Sequence, residues 1–318
     1  MFCLGIESTA HTIGVGVVSE KEILANSLSV YRPPAGEGIM PREAADFHQQ
    51  NIKMVIAEGL KKAGVGLEDI DVFSFSQGPG IGQTLRISCI AARYLARKYE
   101  KPLLGVNHCR GHVEISKFET GFSDPLVLYV SGGNTQIIIR QGQRYRILGE
   151  TLDIGIGNLF DVFARELGEK AHGSVIEKLG EGGEFISMPY VIKGMNFSFS
   201  GLLTHAKRLI GKAKKEDICK SLMETSFAVL CEACERALCL TGKKEFIVCG
   251  GVAQNKKLQS MLYAMCRGQQ VRFGVARNEY NADNGAMIAY VGMLDFLSGK
   301  RMEFSECIPR QNWRIDSP

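Results

Sequence analysis

The sequence is laid out twice. Leu4–Val18 reads as a strand, a tight polar turn and a returning strand, and Lys21–Val30 adds a third strand. The same plan returns at Leu126–Ile139, with its third strand at Arg144–Leu152. In each triplet, β-branched runs are separated by small and polar turn residues, the pattern of strands joined by hairpins. The continuations match as well. After the first triplet come a helical pattern at Arg42–Ala63, an apolar strand at Val72–Ser76 and the turn Gln77-Gly-Pro-Gly-Ile-Gly82. A helix at Gln83–Tyr99 and a strand at Leu103–Val106 follow. After the second come helices at Gly157–Leu167 and Phe199–Leu240, a strand at Glu245–Cys249, a Gly-Gly turn, a helix at Lys256–Cys266 and a strand at Val271–Val275. Three strands followed by alternating helix and strand predict a mixed sheet with helices on its faces. Two copies predict two α/β lobes facing each other across a cleft.

Length agrees, since 318 residues exceed the usual single domain. Gly121, Ser123, Asp124 and Pro125 punctuate the pattern. The expected division is therefore an N-terminal lobe of residues 1–120 and a C-terminal lobe of residues 121–297. The last helix, Asn284–Leu297, is assigned to the second lobe, and the tail 298–318 is placed back on the first. A net charge of +4 is too small to reveal a polyanion partner. Lys61, Lys62, Lys212, Lys214, Lys215, Lys243 and Lys244 are scattered, and no RNA-binding module signature is present. No apolar leader opens the chain, and no run reaches the roughly 18–20 apolar residues of a membrane span. The ten cysteines sit mostly in apolar runs, where a reduced thiol acts as a small hydrophobe. The expected compartment is the cytoplasm, away from membranes. Cys231, Cys234 and Cys239 lie in a helical pattern without a second pair at zinc-ribbon spacing, which favours a plain helix over a metal site.

Two hairpin tips, Glu7-Ser-Thr-Ala-His-Thr12 and Ser131-Gly-Gly-Asn-Thr135, crowd small side chains and backbone N–H groups. Such a tip is either an ordinary hairpin or an anion-binding nest, and two in equivalent places favour a clamped phosphate chain. Cys249-Gly-Gly-Val-Ala-Gln-Asn255 ends a strand and opens a helix, whose N-terminus suits a phosphate or nucleoside group. In His108-Cys-Arg-Gly-His112 the i, i+4 spacing puts both imidazoles on one helix face, where they either ligate one metal or serve as surface and capping residues. A zincin protease has glutamate after the first histidine, and here that position is Cys109. Asp283, at the mouth of the last helix, is the best third ligand and is expected to reach the pair from the other lobe. Asp161 sits in an apolar helix, where a carboxylate needs a partner, either Arg165 or a ligand hydroxyl such as a ribose.

These residues belong to longer motifs. Ile39-Met-Pro-Arg-Glu-Ala-Ala, Ser76-Gln-Gly-Pro-Gly, Gly105-Val-Asn-His-Cys-Arg-Gly-His-Val-Glu, Tyr129-Val-Ser-Gly-Gly-Asn-Thr-Gln and Gly149-Glu-Thr-Leu-Asp-Ile-Gly-Ile-Gly-Asn resemble the universal tRNA threonylcarbamoyltransferase family. Met195-Asn-Phe-Ser-Phe-Ser-Gly-Leu-Leu-Thr and Asp283-Asn-Gly-Ala-Met-Ile-Ala do so too. The version resembled is the archaeal and eukaryotic catalytic subunit of the KEOPS complex, formerly described as an O-sialoglycoprotein endopeptidase.

The resemblance implies a two-lobed fold of the actin, sugar-kinase and heat-shock ATPase type, with duplicated RNase H-like mixed sheets. It implies transfer of threonylcarbamoyl from threonylcarbamoyl-AMP to N6 of the adenosine beside the anticodon in ANN-decoding tRNAs. By motif match, the metal ligands are His108, His112 and Asp283, with Tyr129 beside or on the metal. The adenylate contacts are Tyr129, Val130, Ser131, Gly132, Gly133, Asp161, Gly173, Glu177 and Asn255. The implied cofactor is one divalent metal, Fe2+ with Zn2+ as the alternative, which imidazole and carboxylate ligands with open positions suit. The implied partners are tRNA, a small atypical protein kinase, a dimerising subunit on the N-terminal lobe and a tRNA-end-binding subunit. With a short tail ending at Pro318, no fused kinase is expected.

One segment departs from the family pattern. Leu167–Glu177 lacks the prolines of the expected Pro-Gly-Gly-Pro turn and is one residue short, and His172 within it matches no family role. Glu7 is the carboxylate expected to act as base or polar positioner. Rival readings are a phosphotransferase of the same fold, a metalloprotease, and a non-catalytic scaffold in an RNA-modifying complex.

Overall fold

The computed structural model describes residues 1–34, 37–170 and 173–317. His172 and the middle of the departing loop 169–174 lie outside the described residues. The chain forms two compact units, one of Met1–Pro33, Ile39–Ile115 and Ala282–Pro318, the other of Pro34–Gly38 and Ser116–Asn281.

The first unit runs β1 (Phe2–Glu7), β2 (Thr12–Ser19), β3 (Ile23–Val30), α1 (Pro41–Ala63), β4 (Val72–Gly78), α2 (Gly82–Lys98) and β5 (Leu103–Asn107). The helix α3 (His108–Thr120) begins in it. Its sheet has the order β3-β2-β1-β4-β5, with β1–β2 and β2–β3 antiparallel and β1–β4 and β4–β5 parallel.

The second unit holds β6 (Leu126–Val130), β7 (Thr135–Gln141), β8 (Arg144–Glu150), α4 (Ile156–Glu166), α5 (Gly173–Leu179) and the short pair β9 (Ile192–Lys193) and β10 (Asn196–Phe197). Then come α6 (Ser200–Leu209), α7 (Lys215–Thr241), β11 (Glu245–Cys249), α8 (Lys256–Gly268), β12 (Arg272–Val275) and α9 (Asn278–Asn281). Its sheet, β12-β11-β6-β7-β8, repeats the connectivity and the strand directions of the first. The duplication expected from the sequence is present strand for strand. The single helix expected over Phe199–Leu240 is two helices, α6 and α7, because Gly211 at φ 78° turns the chain between them. Asp153 holds the start of α6 by accepting from the Phe199 and Ser200 N–H groups, each at 2.9 Å.

The last helix, α10 (Gly285–Leu297), was expected in the second lobe, and the structure places it in the first unit. Strand parity explains why. On β1, Leu4 and Ile6 pack with Ile52 and Val55 of α1 and Ala92 of α2. Cys3, on the other face, packs with Ala289 and Met293 of α10. The seat for α10 is cut by glycines. A Cβ on Gly5 would lie 2.1 Å from the Ala289 nitrogen, and one on Gly16 would lie 2.3 Å from the Ala286 Cα. A helix reading Gly-Ala-Met-Ile-Ala-Tyr-Val-Gly-Met is apolar on most sides and needs this buried seat. The tail stays with the first unit: Gln77 Nε2 donates to the Glu306 and Ile308 carbonyls at 2.7 and 2.8 Å, and Arg93 donates to the Cys307 carbonyl at 2.9 Å. All ten cysteines are free. No helix of the described residues is long and apolar enough to cross a membrane.

Candidate metal centre

Each piece of the centre is placed by a local rule. Asn107 ends β5 and caps α3, its Oδ1 accepting the Arg110 N–H at 3.1 Å. His108 is therefore the first helical residue and His112 lies one turn on, with ring centroids 4.7 Å apart and the rings edge to face. Asn284 caps α10 in the same way, accepting the Met287 N–H at 2.9 Å, which sets Asp283 at that helix's mouth. The two helices are tied together. Arg110 donates to Asp295 of α10 at 2.7 Å, and a Cβ on Gly111 would come within 3.2 Å of Met287.

The result is a triad within the first unit. Asp283 Oδ1 is 3.2 Å from His112 Nε2 and 3.5 Å from His108 Nε2. All three ligand atoms lie within 4.8 Å of one another, and among the described residues this is the only such group of three or more His, Cys, Asp and Glu donors. Donors that each sit about 2.1 Å from one ion are roughly 3–4 Å apart, so the set fits a metal nearly as it stands. Two imidazoles and one carboxylate on one side leave coordination positions open, the pattern suited to Fe2+ and open to Zn2+. The expectation that Asp283 reaches the histidines from the other lobe is corrected, because α10 carries it into the same unit.

Electrostatics agree with a cation site. Burial opposes charge on His108, yet the carboxylates of Glu7 and Asp283 raise its pKa to about 9. Burial also opposes ionisation of Asp283, but His108 and His112 hold it below the usual carboxylate range. Burial pushes His112 down, and the His108 charge adds to that. Glu7 is completely buried, with Oε2 3.0 Å from His108 Nδ1.

The first hairpin tip is not an open anion nest. The Ser8 N–H donates to Ser76 Oγ at 3.0 Å and the Thr9 N–H to Glu7 Oε1 at 2.5 Å. The Gly-rich turn beside it is likewise engaged: Ile81 N–H donates to the Thr9 carbonyl at 2.8 Å and Gly80 N–H to the Gln311 carbonyl at 3.1 Å. His48 of α1 closes this corner by donating Nε2–H to the Ala10 carbonyl at 2.9 Å. Burial lowers its pKa, so the folded protein keeps it neutral. The unfolded chain takes up a proton below about pH 6.5 that the folded chain refuses, so stability is present above that pH and lost below it, at up to about 1.4 kcal/mol per pH unit. Urea midpoints at pH 7.5 and 5.5 should separate more for the wild type than for His48→Gln, which donates the same bond and does not titrate. Equal separations would refute this.

The adenylate contacts implied by the resemblance gather in the second unit. Tyr129 is completely buried on β6, next to Val130, also buried. The turn at Ser131–Gly133 follows, where Gly132 and Gly133 are exposed and a Cβ on Gly133 would meet nothing within 4 Å. This turn abuts the start of α4, since Gly157 N–H donates to the Ser131 carbonyl at 3.2 Å and Asn158 N–H to the Gly132 carbonyl at 3.0 Å. Asp161 is half-buried one turn along α4, and Gly173 and Glu177, also half-buried, lie on α5. A Cβ on Gly173 would touch Phe160 of α4 at 3.6 Å. Asn255 caps α8, accepting the Leu258 N–H at 2.9 Å. Replacing it by alanine should cost about 1 kcal/mol of stability through the lost cap, read as a lowered urea midpoint, and an unchanged midpoint would deny the cap its role. Sequence reasoning missed Asn107 and Asn284, although asparagine just before an expected helix is a cap signal.

A family model described as tRNA N6-adenosine threonylcarbamoyltransferase matches residues 22–290. The tRNA N6-adenosine threonylcarbamoyltransferase of Thermococcus sibiricus is 49% identical over 320 aligned positions, covering 99% of this chain and 98% of its own. A probable bifunctional tRNA threonylcarbamoyladenosine biosynthesis protein of Methanococcus maripaludis is also 49% identical, but the match spans only 58% of that longer chain. Among solved structures, HypF of T. kodakarensis aligns with a TM-score of 0.64 at 14% identity, over 94% of this chain and 48% of that one. A ROK family glucokinase from Streptomyces griseus aligns at 0.51 and 15% identity, over 92% of this chain and all of its own. These two speak for the fold alone, an α/β fold with a mixed five-stranded sheet in each unit. Half of the residues are shared with relatives over the whole length, and the chain belongs to the tRNA N6-adenosine threonylcarbamoyltransferase family, a family of transferases.

Proposed function

We propose that this protein transfers the threonylcarbamoyl group of threonylcarbamoyl-AMP to N6 of the adenosine beside the anticodon in ANN-decoding tRNAs. The observation that carries the proposal is the His108–His112–Asp283 triad in a chain that matches the transferase family from residue 22 to residue 290. In the reaction, the adenosine N6 attacks the carbamoyl carbonyl carbon. The new N–C bond forms, the C–O bond to the phosphate breaks, AMP leaves, and N6 gives up one proton.

His108, His112 and Asp283 hold the metal in this reading, Fe2+ with Zn2+ as the alternative. Bound there, it supplies Lewis-acid polarisation of the oxygens of the threonylcarbamoyl group. Tyr129, Val130 and the Ser131–Gly133 turn receive the adenylate, with Asp161, Gly173, Glu177 and Asn255 as its further contacts. Adenine N6 is a weak nucleophile, so much of the rate comes from holding the two substrates in register. The partners proposed are tRNA and the KEOPS subunits: a small atypical kinase, a dimerising subunit on the unit that carries the triad, and a tRNA-end-binding subunit. The proposed place of work is the cytoplasm, where ten free thiols stay reduced.

The test combines the protein, these partners, an adenylate-forming enzyme, ATP, threonine, bicarbonate and unmodified tRNA. Nucleoside digestion and mass spectrometry should find threonylcarbamoyladenosine only when this protein is present. Equal product without it would end the proposal.

A further inference from the structure

We propose that Glu7 is a positioning residue, whose carboxylate fixes the His108 ring with Nε2 aimed into the triad, and that it takes no proton from the substrate amine. The inference rests on the reading of His108, His112 and Asp283 as a metal-holding set.

Strand parity delivers Glu7 to its place. On β1, Cys3 and Gly5 face α10, and Glu7 is the next residue of that series. It pairs with Gly14 of β2, where a Cβ would come within 2.9 Å of the Gly285 nitrogen, so no larger side chain competes for the space beside Asp283. The carboxylate therefore arrives buried, under the triad rather than beside open solvent. Its side chain has 0% exposure.

Both oxygens are then committed. Oε1 accepts the Thr9 N–H at 2.5 Å, and Oε2 lies 3.0 Å from His108 Nδ1, with Thr9 Oγ1 3.2 Å from the same nitrogen. An acceptor on Nδ1 holds that proton in place, so the nitrogen that gives up its proton to a metal is Nε2, on Asp283's side of the ring. The backbone of His108 is set by the Asn107 cap, but its ring, on the first helical residue, has no earlier turn of helix to lean on. Glu7 supplies that restraint. A general base, by contrast, must bring an oxygen within hydrogen-bond reach of the proton it removes. An enclosed carboxylate with both oxygens bonded inside the fold is badly placed for that work.

The experiment compares wild type, Glu7→Gln and Glu7→Ala as full-length chains. Zn2+ affinity is measured by competition with a chromogenic chelator, and transfer is assayed across metal concentrations. Glu7→Ala should bind Zn2+ about 10–100-fold more weakly, the usual loss for a residue that orients a ligating histidine. Glu7→Gln, which retains one acceptor oxygen for two donors, should lose less. Transfer by both should recover as metal approaches saturation. On zinc-loaded, 15N-labelled protein, the His108 Nδ1–H signal should be sharp in the wild type and broadened by solvent exchange in Glu7→Ala.

Unchanged affinity in Glu7→Ala would overturn the proposal, as would transfer that stays lost at saturating metal, the mark of a base. Glu7→Gln matches the native shape, so it decides between the two roles even where Glu7→Ala fails to fold. Wild-type protein that takes up no metal would instead overturn the reading of the triad, and this proposal with it.

Discussion

Replacing His108 and His112 together by alanine should empty the metal site and stop threonylcarbamoyl transfer. The substitution removes two of the three donors and leaves Asp283 Oδ1 without the imidazoles at 3.2 and 3.5 Å that now face it. One carboxylate does not hold a transition metal against washing. Electrophilic polarisation of a carbonyl by a metal is worth several kcal/mol, so transfer should fall by a factor on the order of 1,000 or more. Stability should fall as well, by a few kcal/mol, because a mostly enclosed carboxylate loses its partners. Metal analysis after extensive dialysis, transfer assays and circular dichroism on the same samples separate these effects. A folded double variant with full metal content and full transfer would remove the triad from the mechanism.

The second large effect should come from a residue that touches no ligand. Gly16→Val puts its first side-chain carbon where the Ala286 Cα already sits, 2.3 Å away, with backbone rather than a flexible side chain in the way. Overpacking of a tight interface costs about 1–3 kcal/mol and occasionally more, and this contact belongs at the top of that range. For a unit of this size each kcal/mol lowers the midpoint of thermal unfolding by roughly 2–4 °C. Because α10 carries Asp283 at its mouth, a displaced helix should weaken metal binding too. Gly133→Ala is the contrast. A Cβ there meets nothing within 4 Å, so the change should stay within about 0.5 kcal/mol. Thermal scans with metal titrations on both variants check this. Equal midpoints for the two would mean that close approach of α10 to the sheet does not hold the centre together.

The twofold layout was legible from Leu4–Val18 and Leu126–Ile139 because hairpin-linked strands leave a local record of alternating burial and small turn residues. The His108–His112 pair was legible for the same reason: a spacing of four on one helix is a local fact. Helix edges were mostly within a residue or two, as α1 at Pro41–Ala63 and α2 at Gly82–Lys98 show. The break between α6 and α7 was missed because Gly211 interrupts a stretch whose polarity continues on both sides.

Local pattern therefore established the two related α/β units, the helix bearing two imidazoles, and the turns rich in small residues. It did not establish which sheet receives the last helix. That was decided by Gly5 and Gly16, far from α10 in sequence, whose missing side chains let the helix backbone lie against the sheet. From that docking follows the unit in which Asp283 meets the histidines. The role of Glu7 has the same origin. Alternation along β1 is readable in the sequence, but which face lies under the triad depends on a helix more than two hundred residues away. Spacing records neighbours within an element, whereas ligand geometry depends on packing between elements, and close packing was settled only when the chain folded.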